Sequence, residues 1–206
     1  MQFFILFFKN CWVLSELQEV KNINNINTKQ LENMQGVFEG CSSLTYINVK
    51  DLDISNVTNT ESMFRDCSSL TTLDLSNFNT SNVTDMQGMF GNCYNLKQLD
   101  LSNIDTSNVT SMQNMFKGCC ALTNLNVSNF DTSNVTNMEG MFCSCRELIT
   151  LDISNFRTSN VTTMRDMFGD TINLNIVYTG NGWITEKADT TDMFKDSKIQ
   201  NVTTNN

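Results

Sequence analysis

One block of 26 residues recurs along this chain with its apolar positions held fixed, and that recurrence confines the fold to a solenoid. In one copy the block runs Leu70, Leu73, Leu75 and Phe78, then Asn82-Val83-Thr84, then Met86, Met89, Phe90 and Cys93. The same spacing restarts at Leu96, Leu122 and Leu148, and more loosely at Leu44 and Leu174. A unit of this length cannot bury its apolar face alone, so neighbouring units must stack and share a continuous core. The repeats span residues 18–199, about five of them complete, with worn units at both ends where caps belong. Residues 200–206 are a polar tail. Residues 1–17 stand apart: the apolar run Phe3–Phe8 is followed by Lys9, and the segment reads as a cap over the first coil or a signal remnant. It lacks a basic start and an Ala-x-Ala cleavage site, and it is too short and interrupted to span a bilayer.

Two periods alternate within a repeat. Leu73 and Leu75 flank Asp74, the alternation of a short strand with one buried face. Met86, Met89, Phe90 and Cys93 stand at i, i+3, i+4 and i+7, which predicts a short helix with Thr84 or Asp85 as its N-cap. The expected fold class is an α/β, leucine-rich-repeat-like, right-handed solenoid whose 26-residue coils each hold a short strand and a short helix.

The columns down such a stack are consistent. Leu73, Leu99, Leu125 and Leu151 form one, and Phe78, Ile104, Phe130 and Phe156 another. Met86, Met112, Met138 and Met164 lie beside Phe90, Phe116, Phe142 and Phe168. A methionine stripe can mark a soft-metal or promiscuous peptide surface, but this spacing beside phenylalanine reads as core. Cys41, Cys67, Cys93, Cys119 and Cys145 fall one per repeat, the signature of a buried packing position rather than a disulfide framework. Cys11, Cys120 and Cys143 lie off that ladder, and spacing leaves the pairing of Cys120 with Cys143 open.

Charge and composition exclude several functions. The net charge is −9 with the acidic residues dispersed, which argues against a nucleic-acid partner. Histidine is absent, which removes a histidine base, a Cys-His dyad and an imidazole metal site. No glycine-rich phosphate loop and no serine with a base at a defined offset occurs, so no enzyme, catalytic residue or cofactor is expected.

The run from Leu73 to Phe90, with Asn82-Val83-Thr84 and Met89-Phe90 recurring together, resembles the BspA-like leucine-rich repeats of microbial surface proteins. The ordinary leucine-rich pattern fits only its first half, since Phe78 stands where Asn or Cys belongs. The resemblance implies a non-enzymatic cell-surface or extracellular protein that adheres to host or microbial macromolecules. The alternative is an intracellular interaction scaffold or effector on the same solenoid.

The candidate binding face is the polar side of the strands: Thr72, Asp74, Gln98, Asp100, Asn124, Asn126, Thr150 and Asp152. Aromatic anchors are few there, so each copy should bind a protein or matrix partner weakly and gain from multivalency. The column Asn48, Asp74, Asp100, Asn126 and Asp152 invites calcium, but asparagine interrupts it and a solvated face is the better reading. Asn56, Asn82, Asn108, Asn134 and Asn160 each open an Asn-Val-Thr sequon, and their strict period points to a ladder that satisfies turn backbone. Thr80, Thr106, Thr132 and Thr158 make a hydroxyl column that invites an ice-lattice match, yet they lie in a turn rather than on a sheet face. On the opposite side Glu61, Arg65, Gln87, Gln113, Lys117, Glu139, Arg146, Arg165 and Asp166 vary in charge while the core columns hold.

Overall fold

A computed structural model of the chain describes residues 16–20, 23 and 27–204. The described residues form seven short strands, all but the last with one side chain turned in and the next out: β1 (Glu19–Val20), β2 (Tyr46–Ile47), β3 (Thr72–Leu73), β4 (Gln98–Leu99), β5 (Thr150–Ile153), β6 (Ile176–Thr179) and β7 (Thr203–Thr204). They pair in parallel as β1-β2, β3-β4 and β5-β6-β7. The register steps by one repeat, Thr72 against Gln98 and Thr150 against Ile176, as stacked coils require. The strand side is interrupted, since residues 124–127 form no strand. The opposite side is continuous: single parallel bridges link Asn33, Asn59, Asp85, Ser111, Asn137, Thr163 and Asp189 in turn.

The expected helix is replaced by a row of turns, and none of the described residues is α-helical. Between Thr60 and Cys67 successive N–H groups alternate in direction. Met63, Arg65 and Cys67 donate to the carbonyls of Thr60, Ser62 and Phe64 three residues back, at 3.1–3.2 Å. Ser62, Phe64 and Asp66 donate instead to Gln87, Met89 and Gly91 of the following coil, at 2.8–2.9 Å. The cause lies in two columns of left-handed residues. Gly36, Ser62, Gly88, Asn114, Gly140, Asp166 and Asp192 form the first; Gly40, Asp66, Asn92, Gly118, Ser144, Asp170 and Asp196 form the second. Their φ values run from 54° to 75°, and a positive φ at the third position of a hydrogen-bonded four-residue turn is the type II signature. A left-handed residue every fourth position breaks the i to i−4 ladder that a helix needs. Asp85 is therefore no N-cap; its Oδ1 accepts from the N–H of Gln87 at 2.8 Å, an Asx turn that opens the row.

Each row still directs its apolar side chains inward. The rings of Phe38, Phe64, Phe90, Phe116, Phe142, Phe168 and Phe194 form one stack with centroids 5.4–6.1 Å apart. Met86, Met89 and their equivalents through Met167 are wholly buried against it, so the methionine stripe is core. Burying each such side chain is worth about 1.5–3 kcal/mol, and repetition of that term sustains the stack.

The cysteine ladder is buried at Cys67, Cys93, Cys119 and Cys145, all free thiols. Cys41 departs from expectation, being disulfide-bonded. The readings of Cys11 and of residues 1–15 as cap or signal remnant also lie outside the described residues. Cys120 and Cys143 are both free.

Candidate functional site

The strand face carries the predicted binding residues in two outward columns. Thr72, Gln98, Asn124 and Thr150 are exposed in one, and Asp74, Asp100, Asn126 and Asp152 in the other. Four of these eight, Thr72, Asp74, Gln98 and Asp100, line a single shallow groove of about 570 Å³. Sequence reasoning omitted two further groups in it: Tyr46, half exposed, and Lys50. Asn124, Asn126, Thr150 and Asp152 lie beyond the groove, past its Gln98 and Asp100 end.

The groove is electrostatically asymmetric. Lys50 Nζ sits 2.8 Å from Asp74 Oδ2, and that contact holds the Asp74 carboxyl down at about 2. Among the described residues Asp100 has no such cation; its carboxyl is lowered by the backbone and hydroxyl of Ser102, which stabilise its ionised form. Tyr46 and the free carboxylate of Asp100 thus border a groove whose other charges are paired.

The aspartate column also has a structural duty that explains its asparagines. Oδ1 of Asp74, Asp100, Asn126 and Asp152 accepts the N–H two residues on, from Ser76, Ser102, Ser128 and Ser154, at 2.9–3.0 Å. One oxygen suffices for this Asx turn, so Asn and Asp interchange freely. Among the described residues no group of three His, Cys, Asp or Glu side chains gathers as a metal site.

Two other columns hold the turns together. Nδ2 of Asn56, Asn82, Asn108, Asn134 and Asn160 donates at 2.7 Å to Lys29, Ser55, Ser81, Ser107 and Ser133 of the preceding coil. The sequon asparagines are the expected backbone ladder. The threonine column is buried: Thr80, Thr106 and Thr132 donate to the carbonyls of Asp105, Asp131 and Arg157 at 2.9–3.0 Å. Those hydroxyls present no array to an ice surface.

Against known families, this sequence matches a model described as a Mycoplasma protein of unknown function, DUF285, over residues 5–122 and again over 92–206. Together the two overlapping matches run the length of the repeats. The chain belongs to the DUF285 family. No curated protein and no solved structure matches it.

The cysteine column of this DUF285 chain does more than pack. Cys67, Cys93, Cys119 and Cys145 point their thiols at the carbonyls of Phe38, Phe64, Phe90 and Phe116 at 3.1–3.2 Å. Ser197 at the equivalent place donates to Phe168 in the same way, and Thr171 also gives its hydroxyl to Phe168. A small donor, rather than a thiol as such, is what the position selects. Burial pushes the Cys93 thiol up to about 12. Cys143 is raised to about 11 by burial and by Asp166, whose Oδ2 lies 3.1 Å from its sulfur. Neither has the lowered pKa of a nucleophile.

The turn side of the DUF285 chain carries the charges that vary between repeats. Arg146 pairs with Asp170 and Arg165 with Asp189, each one coil ahead. Arg65, Gln87 and Lys117 converge on a small hollow. Sequence reasoning marked these as variable positions without bringing them together, because it placed them on a helix.

Proposed function

We propose that this DUF285 chain is a non-enzymatic recognition protein that binds a macromolecular partner through its strand face, at the cell surface. The observation that carries the reading is the groove around Tyr46, Asp74, Gln98 and Asp100, which offers one exposed aromatic and one unpaired carboxylate on a repetitive scaffold. An aromatic beside a lone charge is the kind of small anchor set on which interfaces depend. The similarity of residues 73–90 to BspA-like repeats supports adhesion as its use. The disulfide at Cys41 supports export, since disulfides persist in oxidising compartments.

A second reading, an intracellular interaction scaffold, is favoured by the six thiols that remain free. Protease shaving of intact cells against an antibody to the chain separates the two. Cleavage on intact cells sustains the surface reading and warrants a screen of matrix proteins with wild type, Tyr46→Ala and Asp100→Asn. Protection on intact cells with cleavage after lysis refutes it. If the variants bind a captured partner as well as wild type, the groove is the wrong face.

A further inference from the structure

On the turn side the repeat leaves a gap. Arg65, Gly91 and Lys117 occupy the same position in three successive coils, so Gly91 puts no side chain between two cationic ones. Adjacent coils in a parallel stack lie about 4.8 Å apart, which sets the Arg65 and Lys117 backbones about 10 Å from each other across that gap. The hollow has a volume of about 130 Å³. Its remaining walls are Gly88 and the amides of Gln87, Asn92 and Asn114, with no carboxylate among the lining groups.

The side chains are disposed to use it. The methylenes of Arg65 lie over both glycines: a Cβ on Gly91 would stand 3.6 Å from its Cγ, and one on Gly88 3.9 Å from its Cδ. The arginine stem thus runs along both glycines, and Arg65 lines the hollow. Lys117 closes the far side with its stem against Gly140, and among the described residues it has no carboxylate partner. Two acids stand behind the lining: Asp66 pairs with Arg65 Nε at 3.6 Å and its Oδ1 accepts Asn92 Nδ2 at 2.8 Å, and Glu61 Oε1 accepts Gln87 Nε2 at 3.5 Å. The Asn114 amide makes no side-chain bond among the described residues and is available as a donor.

In a chain of net charge −9, a hollow walled by two cations, with the Asn114 amide uncommitted and no carboxylate in its lining, is a site for negative charge. We propose that it binds a single tetrahedral oxyanion group, sulfate or phosphate, held by Arg65, Lys117 and the Asn114 amide. The size sets the class: whole small-molecule ligands occupy about 300–1,000 Å³, so this hollow takes one group rather than a nucleotide or an oligosaccharide. Arginine supplies a planar fork matched to such oxygens, and lysine a point charge opposite it. The site is independent of the strand-face groove.

The test is calorimetric melting of the full chain with inorganic sulfate or phosphate titrated at constant ionic strength, in wild type, Arg65→Gln, Lys117→Gln and the double variant. Melting in chloride alone shows that each variant folds. The expected result is a saturable rise in wild type, with binding weakened about tenfold in each single variant and lost in the double one. Arg65→Lys should fall between wild type and Arg65→Gln. A parallel arm with heparin identifies the source: retention lost in Arg65→Gln assigns the group to a sulfated polymer, and saturation by the inorganic ions alone assigns it to a free anion. A rise that is linear and equal in wild type and double variant is the general stabilisation by excluded salts and overturns the proposal, as does no rise beyond chloride.

Discussion

Replacing Gly88 by alanine separates a row of turns from a row of helices by the sign of its effect. In an exposed or half-buried helix, alanine for glycine stabilises by about 0.8–1.0 kcal/mol. Gly88 instead sits at φ 60°, where an L-residue costs about 1–2 kcal/mol. Space is not the obstacle, because an added Cβ would meet Ser62 Oγ at 3.4 Å and Arg65 Cδ at 3.9 Å, both ordinary contacts. The cost is therefore backbone alone, offset by about 0.4–1 kcal/mol through the stiffer unfolded chain. The net expectation is a loss of about 0.5–1 kcal/mol, or about 1–4 °C in melting temperature for a chain of this size. Gly88→Asn should lose less, since asparagine occupies the same position at Asn114 with φ 55° and tolerates left-handed backbone. Differential scanning calorimetry of the three proteins decides it. Gly88→Ala melting above wild type would refute the turn architecture.

Three further outcomes follow from the geometry. Asn108→Ala removes a 2.7 Å bond to the Ser81 carbonyl and should cost about 1 kcal/mol in urea unfolding, whereas mutating the exposed Thr123 should cost nothing measurable. Phe116→Ala breaks the ring stack between Phe90 and Phe142, at 5.6 and 5.8 Å, and should cost about 3–5 kcal/mol, read by the same unfolding curves. The buried thiols make stability fall in alkali: Cys93 stays protonated in the folded chain up to about 12 but ionises from its ordinary 9.0 when unfolded. Its contribution is complete below pH 9 and is lost as pH rises from there towards 12, at up to about 1.4 kcal/mol per pH unit. A melting temperature unchanged between pH 8 and pH 10.5 would count against that burial.

Much of the architecture was legible because burial repeats whatever conformation the backbone takes between buried points. Leu73, Phe78, Met86, Phe90 and Cys93 were assignable to the core from spacing alone, and all five are buried. The turn row was not legible from that spacing, since two consecutive four-residue turns bring residues at i, i+3, i+4 and i+7 to one side just as a helix does. The discriminating signal lay on the polar positions: glycine at 36, 88 and 140 in one column, and Gly40, Asn92 and Gly118 in the column four positions on. Residues that accept a positive φ, recurring once per coil at two fixed places, are incompatible with a helix. The candidate face was half legible. Outward alternation picked out Asp74 and Asp100, but the groove also depends on Tyr46 and Lys50, which belong to no regular column of like residues.

The turn ladder gives this molecule a direction. Within the turn rows the backbone bonds between neighbouring coils point the same way, from an N–H in one coil to a carbonyl in the following one, as Ser62 to Gln87 and Phe142 to Met167 show; only the residue just before each row answers in the other direction, as Thr84 does to Thr58. An ordinary β edge offers donors and acceptors in alternation; here the four alternate N–H groups of a row all turn toward the following coil as donors. Among the described residues the N–H groups of Thr190, Asp192, Phe194 and Asp196 have no acceptor, although their equivalents in each earlier coil do. Two such donor faces brought together would set donor against donor, so like faces of a row resist the edge-to-edge pairing that threatens open sheets. Inserting a whole coil anywhere along the stack leaves that polarity untouched. Length is thus free to drift by multiples of 26 residues while the direction of the ladder stays constant.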